Sequence, residues 1–195
     1  KRPMASLPRV DVSSRSRRLR LLECHLIRNR PCIIEGATTL WRSSSWARDA
    51  LGVLRKLEER VGTETMVPVE FCPADVVDSD RLCSWEGGSD TDGYGSRTRC
   101  EMKLGTFLER WCAGWPNRQL GYLKDWHLPR LHPKVASDTY SPLDVFGFDG
   151  LNAWCDGRDA DDYRFVYAGQ AGTWTALHHD VLCSHSWSAN VVGRK

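Results

Sequence analysis

DDYRFVYAGQAGTWTALHHDV, residues 161–181, sets β-branched and aromatic residues in short runs broken by glycine, the composition of strands rather than helices. YRFVYAG (163–169), GTWTALHHD (172–180) and SWSANVVG (186–193) read as three strands, which predicts an antiparallel sheet in the last third of the chain. Residues two apart on a strand share a face, so His178 and Asp180 project together while His179 points away. An imidazole nitrogen and a carboxylate oxygen then meet one ion. With one further histidine they make a 2-His-1-carboxylate triad, which holds Fe(II) on one side and leaves positions open for other ligands. An H-x-D unit alone is weak evidence, because a hydrogen-bonded sheet histidine followed by a turn aspartate looks the same.

Upstream the periodicity is helical. A first helix is expected from about Ser14 to Ile27, then a short strand at CII (32–34). A second helix, about Ser45 to Arg60, places Trp46, Ala50, Leu54, Leu57 and Val61 on one stripe. MVPVEF (66–71) reads as a strand, and helical spacing returns in Met102, Leu104, Phe107, Leu108 and Trp111. GYLKDW (121–126) reads as a strand entering a turn. Between these lies an acidic, Gly- and Ser-rich insertion at about 73–100, whose DTDG (90–93) lacks the later ligands of a calcium loop. Helices followed by an antiparallel sheet predict an α+β protein.

The 195 residues carry 27 basic and 25 acidic side chains, a formal charge of +2, which argues against a protein built around a polyanion. No apolar run approaches the roughly 18 residues of a membrane span, and no secretory signal is visible. Residues 1–30 hold nine Lys or Arg against Asp11 and Glu23. Leu19, Leu21, Leu22 and Leu26 interleave with these charges, so a solvated first helix is preferred over a nucleic-acid arm or a transit peptide. The eight cysteines are scattered without a C-x-x-C pair, and free thiols are expected.

LPRVD (7–11), NRPCII (29–34), VPVEFC (67–72), GYLKDWHL (121–128), DDYRFVYAGQAGTWTALHHDV (161–181) and SWSANVVGRK (186–195) together resemble JmjC-domain Fe(II)- and 2-oxoglutarate-dependent oxygenases, in the same order along the chain. The resemblance implies an N-terminal helical region, residues 1–120, leading into the first strands of a double-stranded β-helix, the JmjC or cupin barrel, at 121–195. It implies iron at His178 and Asp180. It also implies that Thr175 and Lys195 receive the distal carboxylate of 2-oxoglutarate, with Tyr122 as a second hydroxyl. A buried dicarboxylate needs such a cation and such donors.

By the same resemblance the expected activity is protein hydroxylation of the lysyl hydroxylase type. The expected partner is a translation release factor, in the cytoplasm or else the nucleus, with neither membrane nor nucleic acid as a partner. Histone lysine demethylation and a non-catalytic cupin-like module are the alternatives. The sequence departs from the family pattern in having Ala176 and Leu177 before the first ligand and His179 between the two. The second histidine of the triad is expected on a strand beyond Lys195, so the barrel in this chain is expected to be incomplete and the isolated chain inactive. Trp174 and Trp187 read as barrel wall, His127 and His132 as loop residues, and His185 as facing away.

Overall fold

The computed structural model describes residues 6–39, 41–46, 48–73, 99–156, 158, 162–175 and 178–194. In chain order the first elements are β1 (Arg9–Asp11), α1 (Arg15–Leu21) and β2 (Ile33–Glu35). Ser14 caps α1 by accepting from the Arg17 backbone N–H, and the helix loosens into a π-helical turn over Leu22–Leu26. β1 and β2 pair in parallel, Val10 opposite Ile34. Of the leucines on this helix only Leu21 is buried; Leu19 and Leu22 stay exposed, as a solvated helix requires.

α2 (Ala50–Val61) starts five residues later than expected, because Asp49 accepts from the Gly52 backbone N–H at 2.8 Å and fixes the first turn there. Arg42–Ser45, ahead of it, form a 3-10 turn. Gly62, at φ 92°, ends the helix in a conformation that side-chain-bearing residues rarely adopt. β3 (Met66–Pro73) follows, then β4 (Arg99–Lys103) and α3 (Leu104–Ala113). Met102 therefore lies on a strand, opposite Val67, and the helix begins two residues further on. Most of the expected insertion, 74–98 with DTDG, lies outside the described residues.

β5 (Gln119–Trp126) leads into the short helices α4 (Leu128–Leu131), α5 (Pro133–Thr139) and α6 (Gly150–Cys155), and β6 (Val166–Gly169) closes the sequence of strands. The second sheet is antiparallel in the order β4-β3-β5-β6. It takes two strands from before residue 121, so β3 and β5 pair directly, Val69 opposite Leu123. Val67, Val69, Leu123 and Trp126 from the sheet meet Leu54 and Leu57 of α2 and Leu104, Phe107 and Leu108 of α3 in one core. Each such side chain, fully withdrawn from water, contributes roughly 1.5–3 kcal/mol.

The architecture is α+β as expected, but strands and helices interleave from residue 66 onward rather than separating into two halves. The strands expected at 172–180 and 186–193 do not form among the described residues. Instead, Val181–Cys183 make a tight turn in which Leu182 and Cys183 take φ values of 56° and 51°. A left-handed pair of residues turns the chain sharply, which no straight strand tolerates. β6 keeps only four residues of the run expected at 163–169. The seven described cysteines are all free thiols.

Candidate active site

The site grows from the β5–β6 pair. Tyr122 on β5 stands opposite Gly169 on β6. A Cβ at Gly169 would come within 2.9 Å of the Tyr122 ring and would collide with the Thr173 side chain, so only glycine admits this approach. The Thr175 side chain lies near the tyrosine hydroxyl. Burial pushes the Tyr122 phenol above its usual pKa, while the Thr175 side chain and the nearby Lys124 ammonium pull in the opposite direction. Lys124 itself is paired with Glu70 on β3 at 3.0 Å, and both side chains are largely buried.

Tyr167, on β6, lies with its ring 6.2 Å from that of Tyr122 and donates its hydroxyl to Asp125 Oδ1 at 2.8 Å. Burial first, then the Asp125 bond, hold its phenol far above the ordinary range, and the charge of Asp180 acts in the same direction. His178 Nε2 lies 3.4 Å from Asp180 Oδ1, with the two side chains 46% and 42% exposed. The second carboxylate oxygen, Oδ2, accepts from the Ser186 hydroxyl.

His178 and Asp180 thus converge although no ladder holds them. The backbone at Asp180 is extended, with φ −69° and ψ 163°. The donor pair fits a divalent ion. Adjacent ligands on an ion with bonds of about 2.1 Å lie about 3 Å apart, close to the separation seen. Among the described residues no group of three or more metal-ligating side chains comes together, so these two are the donors this region supplies.

Of the five residues singled out in the sequence, the structure brings Tyr122 near Thr175 and His178 near Asp180, and the Tyr167 ring lies 6.2 Å from that of Tyr122. Lys195, like Ala176 and Leu177, lies outside the described residues. His179 and His185 are exposed. His127, at the start of α4, meets Asp162 through Nδ1 at 2.5 Å, and His132 separates α4 from α5. The open cleft of about 290 Å³ at Pro129, Arg130, Cys155 and Arg164 shares no residue with the tyrosine and H-x-D cluster.

Sequence reasoning missed Tyr167, Asp125 and Ser186. Tyr167 lies inside YRFVYAG (163–169) but carries no spacing signal. Asp125 reaches it only because β5 bulges between Leu123 and Trp126, with Asp125 at φ 60°. Ser186 is brought back to Asp180 by the Val181–Cys183 turn, which a strand reading replaces with a straight segment.

No family model matches the chain. Its alignment with known oxygenases nevertheless covers most of its length, and the chain is similar there to 2-oxoglutarate- and iron-dependent oxygenases and to a JmjC-domain protein. It is 32% identical over 183 residues, 88% of its length, to the 2-oxoglutarate and iron-dependent oxygenase JMJD4 of Gallus gallus. To the protein of the same name in Homo sapiens it is 44% identical over 107 residues, 52% of its length. The arginine-specific demethylase JMJ20 of Arabidopsis thaliana is 32% identical over 191 residues, 89% of this chain. The chain spans 37%, 25% and 37% of these three relatives.

Proposed function

We propose that this chain carries the metal and cosubstrate side of a 2-oxoglutarate- and Fe(II)-dependent protein hydroxylase, with its open sheet forming the first part of a double-stranded β-helix. The observation that carries the reading is the convergence of His178 Nε2 and Asp180 Oδ1 at 3.4 Å, three residues after Thr175, whose side chain lies near the Tyr122 hydroxyl. Iron with 2-oxoglutarate, when bound, supplies oxidative decarboxylation coupled to hydroxylation of a substrate carbon.

The protein's own part is geometric and electrostatic. His178 offers a neutral imidazole nitrogen and Asp180 one carboxylate oxygen, the donor types that ferrous iron accepts. Tyr122 and Thr175 present two neutral hydroxyls that orient a carboxylate without adding charge, and Lys195 supplies the cation. Burial keeps the Tyr122 proton on its oxygen, so that it remains a donor at neutral pH. The substrate we propose is a lysine of a translation release factor, and the site of action the cytoplasm. Demethylation of arginine is the second reading, favoured by the similarity to the demethylase JMJ20 over 89% of the chain.

The test is succinate formation from 2-oxoglutarate by the full-length protein, with product mass measured on release-factor peptides. His178→Ala and Asp180→Ala are each expected to abolish both signals, and Lys195→Ala to raise the 2-oxoglutarate concentration needed. Turnover that persists in Asp180→Ala would remove the iron assignment. Loss of methyl groups from an arginine peptide, with no gain of oxygen on the lysine peptide, would select the second reading.

A further inference from the structure

Residues 178–194 contain no buried side chain, yet one of them is docked into aromatic neighbours. Trp187 stacks on Phe146 with centroids 5.5 Å apart and planes 14° from parallel. Its edge meets Trp41 at 6.1 Å, and Tyr140 closes the set at 6.3 Å. The frame is fixed from below: Trp41 is buried and donates its indole N–H to the Ser141 carbonyl at 2.8 Å, and Ser43 donates to the Thr139 carbonyl at 2.8 Å. An aromatic pair in such geometry contributes about 0.5–1.5 kcal/mol beyond area burial. The residue immediately before Trp187 is Ser186, and its hydroxyl donates to Asp180 Oδ2.

A free carboxylate rotates about its terminal bond and can offer an ion either oxygen or both. A hydroxyl held on one oxygen biases that choice, since it takes up one lone pair of Oδ2 and leaves Oδ1 facing His178 Nε2. We propose that Ser186 is a positioning residue for the metal site, holding Asp180 to single-oxygen coordination, and that Trp187 is the anchor that keeps Ser186 within reach. This rests on the assignment of His178 and Asp180 to iron. It assigns to SWSANVVGRK a task besides cosubstrate binding, and couples the site to the helical layer through Trp41, Tyr140 and Phe146.

The experiment is titration of the full-length apoprotein with Co(II), followed by visible absorption and calorimetry. Ser186→Ala is expected to weaken Co(II) by about 10–100-fold and to alter the visible bands, as loss of a ligand's orienting partner does. Ser186→Thr, which keeps the hydroxyl, is expected to restore both. Trp187→Leu is expected to weaken Co(II) in the same direction while its own hydroxyl neighbour stays intact. Asp180→Ala serves as the reference in which site-specific binding is lost. If Ser186→Ala binds as tightly as the parent with unchanged bands while Asp180→Ala does not bind, the positioning role is wrong and the iron assignment stands. If Asp180→Ala retains parental affinity, both fall. If Ser186→Thr fails to restore what alanine loses, the hydroxyl is not the cause and the positioning role is again overturned.

Discussion

The helix–sheet layer and the segment that follows β6 are built on opposite principles. In the layer, α2 and α3 press Leu54, Leu57, Phe107 and Leu108 onto the strand residues Val67, Val69 and Leu123, all of them buried, and the backbone groups are paired along the ladders. After Gly169 no ladder continues among the described residues, and the chain is held by single contacts. The Thr173 backbone N–H reaches the Gln170 carbonyl at 3.1 Å, the Cys72 thiol reaches the Trp174 carbonyl at 3.9 Å, and Ser186 and Trp187 make the contacts described above. The H-x-D pair sits in this second region, and Tyr122 and Tyr167 belong to the first. A rigid sheet thus supplies one wall of the site, and a lightly tethered segment supplies the ligands. Segments with few buried apolar contacts open at low free-energy cost, which suits a part that must admit a metal ion and a cosubstrate.

Three measurements would break or sharpen this contrast. The largest effect is expected in the layer: Phe107→Ala removes a fully buried ring and should cost about 3–5 kcal/mol in urea unfolding, which no single change within 178–194 should match. A loss under about 1 kcal/mol would mean that the core is not where the stability lies. Between the regions stands Gly169. Gly169→Ala forces Tyr122 and Thr173 aside and should destabilise by about 1–3 kcal/mol, with a change in the near-ultraviolet tyrosine signal. An unchanged signal would show that the strand pair absorbs a methyl group without moving the site.

The smallest effect is a matter of pH. Tyr122 and Tyr167 both hold their protons more tightly folded than unfolded, chiefly through burial. Above about pH 10 the unfolded chain therefore loses these protons first. The stability that the two groups contribute is whole below that pH and falls as pH rises toward their folded values. Tyr167→Phe should flatten the alkaline decline without changing stability at pH 7 beyond the loss of one hydrogen bond to Asp125, about 1 kcal/mol. An alkaline limb as steep as in the parent would show that the phenols do not govern it.

Much of the layer was legible in the residues. Leu54 and Leu57 recur at helical spacing, Val67 and Val69 alternate, and both patterns reached the core as read. Boundaries were less legible. Asp49 as a cap moved the start of α2, because capping by a single side chain outweighs the hydrophobic pattern of the preceding turn. Met102 follows helical spacing and yet lies on β4, where pairing with Val67 decides. The site was legible in its residue types and not in its backbone. The residue spacing puts His178 and Asp180 on one face of a strand, and they meet instead outside any ladder of the described residues, ahead of a left-handed turn.

The sequence by itself determined the α+β class, the apolar faces and, through the order of its motifs, the similarity to JmjC-domain oxygenases, because periodicity and residue chemistry are local properties that survive without coordinates. Only the tertiary structure decided that Tyr122 lies near Thr175, that Tyr167 bonds Asp125, and that Ser186 returns to the Asp180 carboxylate while Trp187 docks among Trp41, Tyr140 and Phe146. These contacts depend on a bulge at Asp125, a turn at Leu182 and a packing surface built from residues far apart in the chain. Non-local contacts of that kind leave no spacing for a reader of sequence to find.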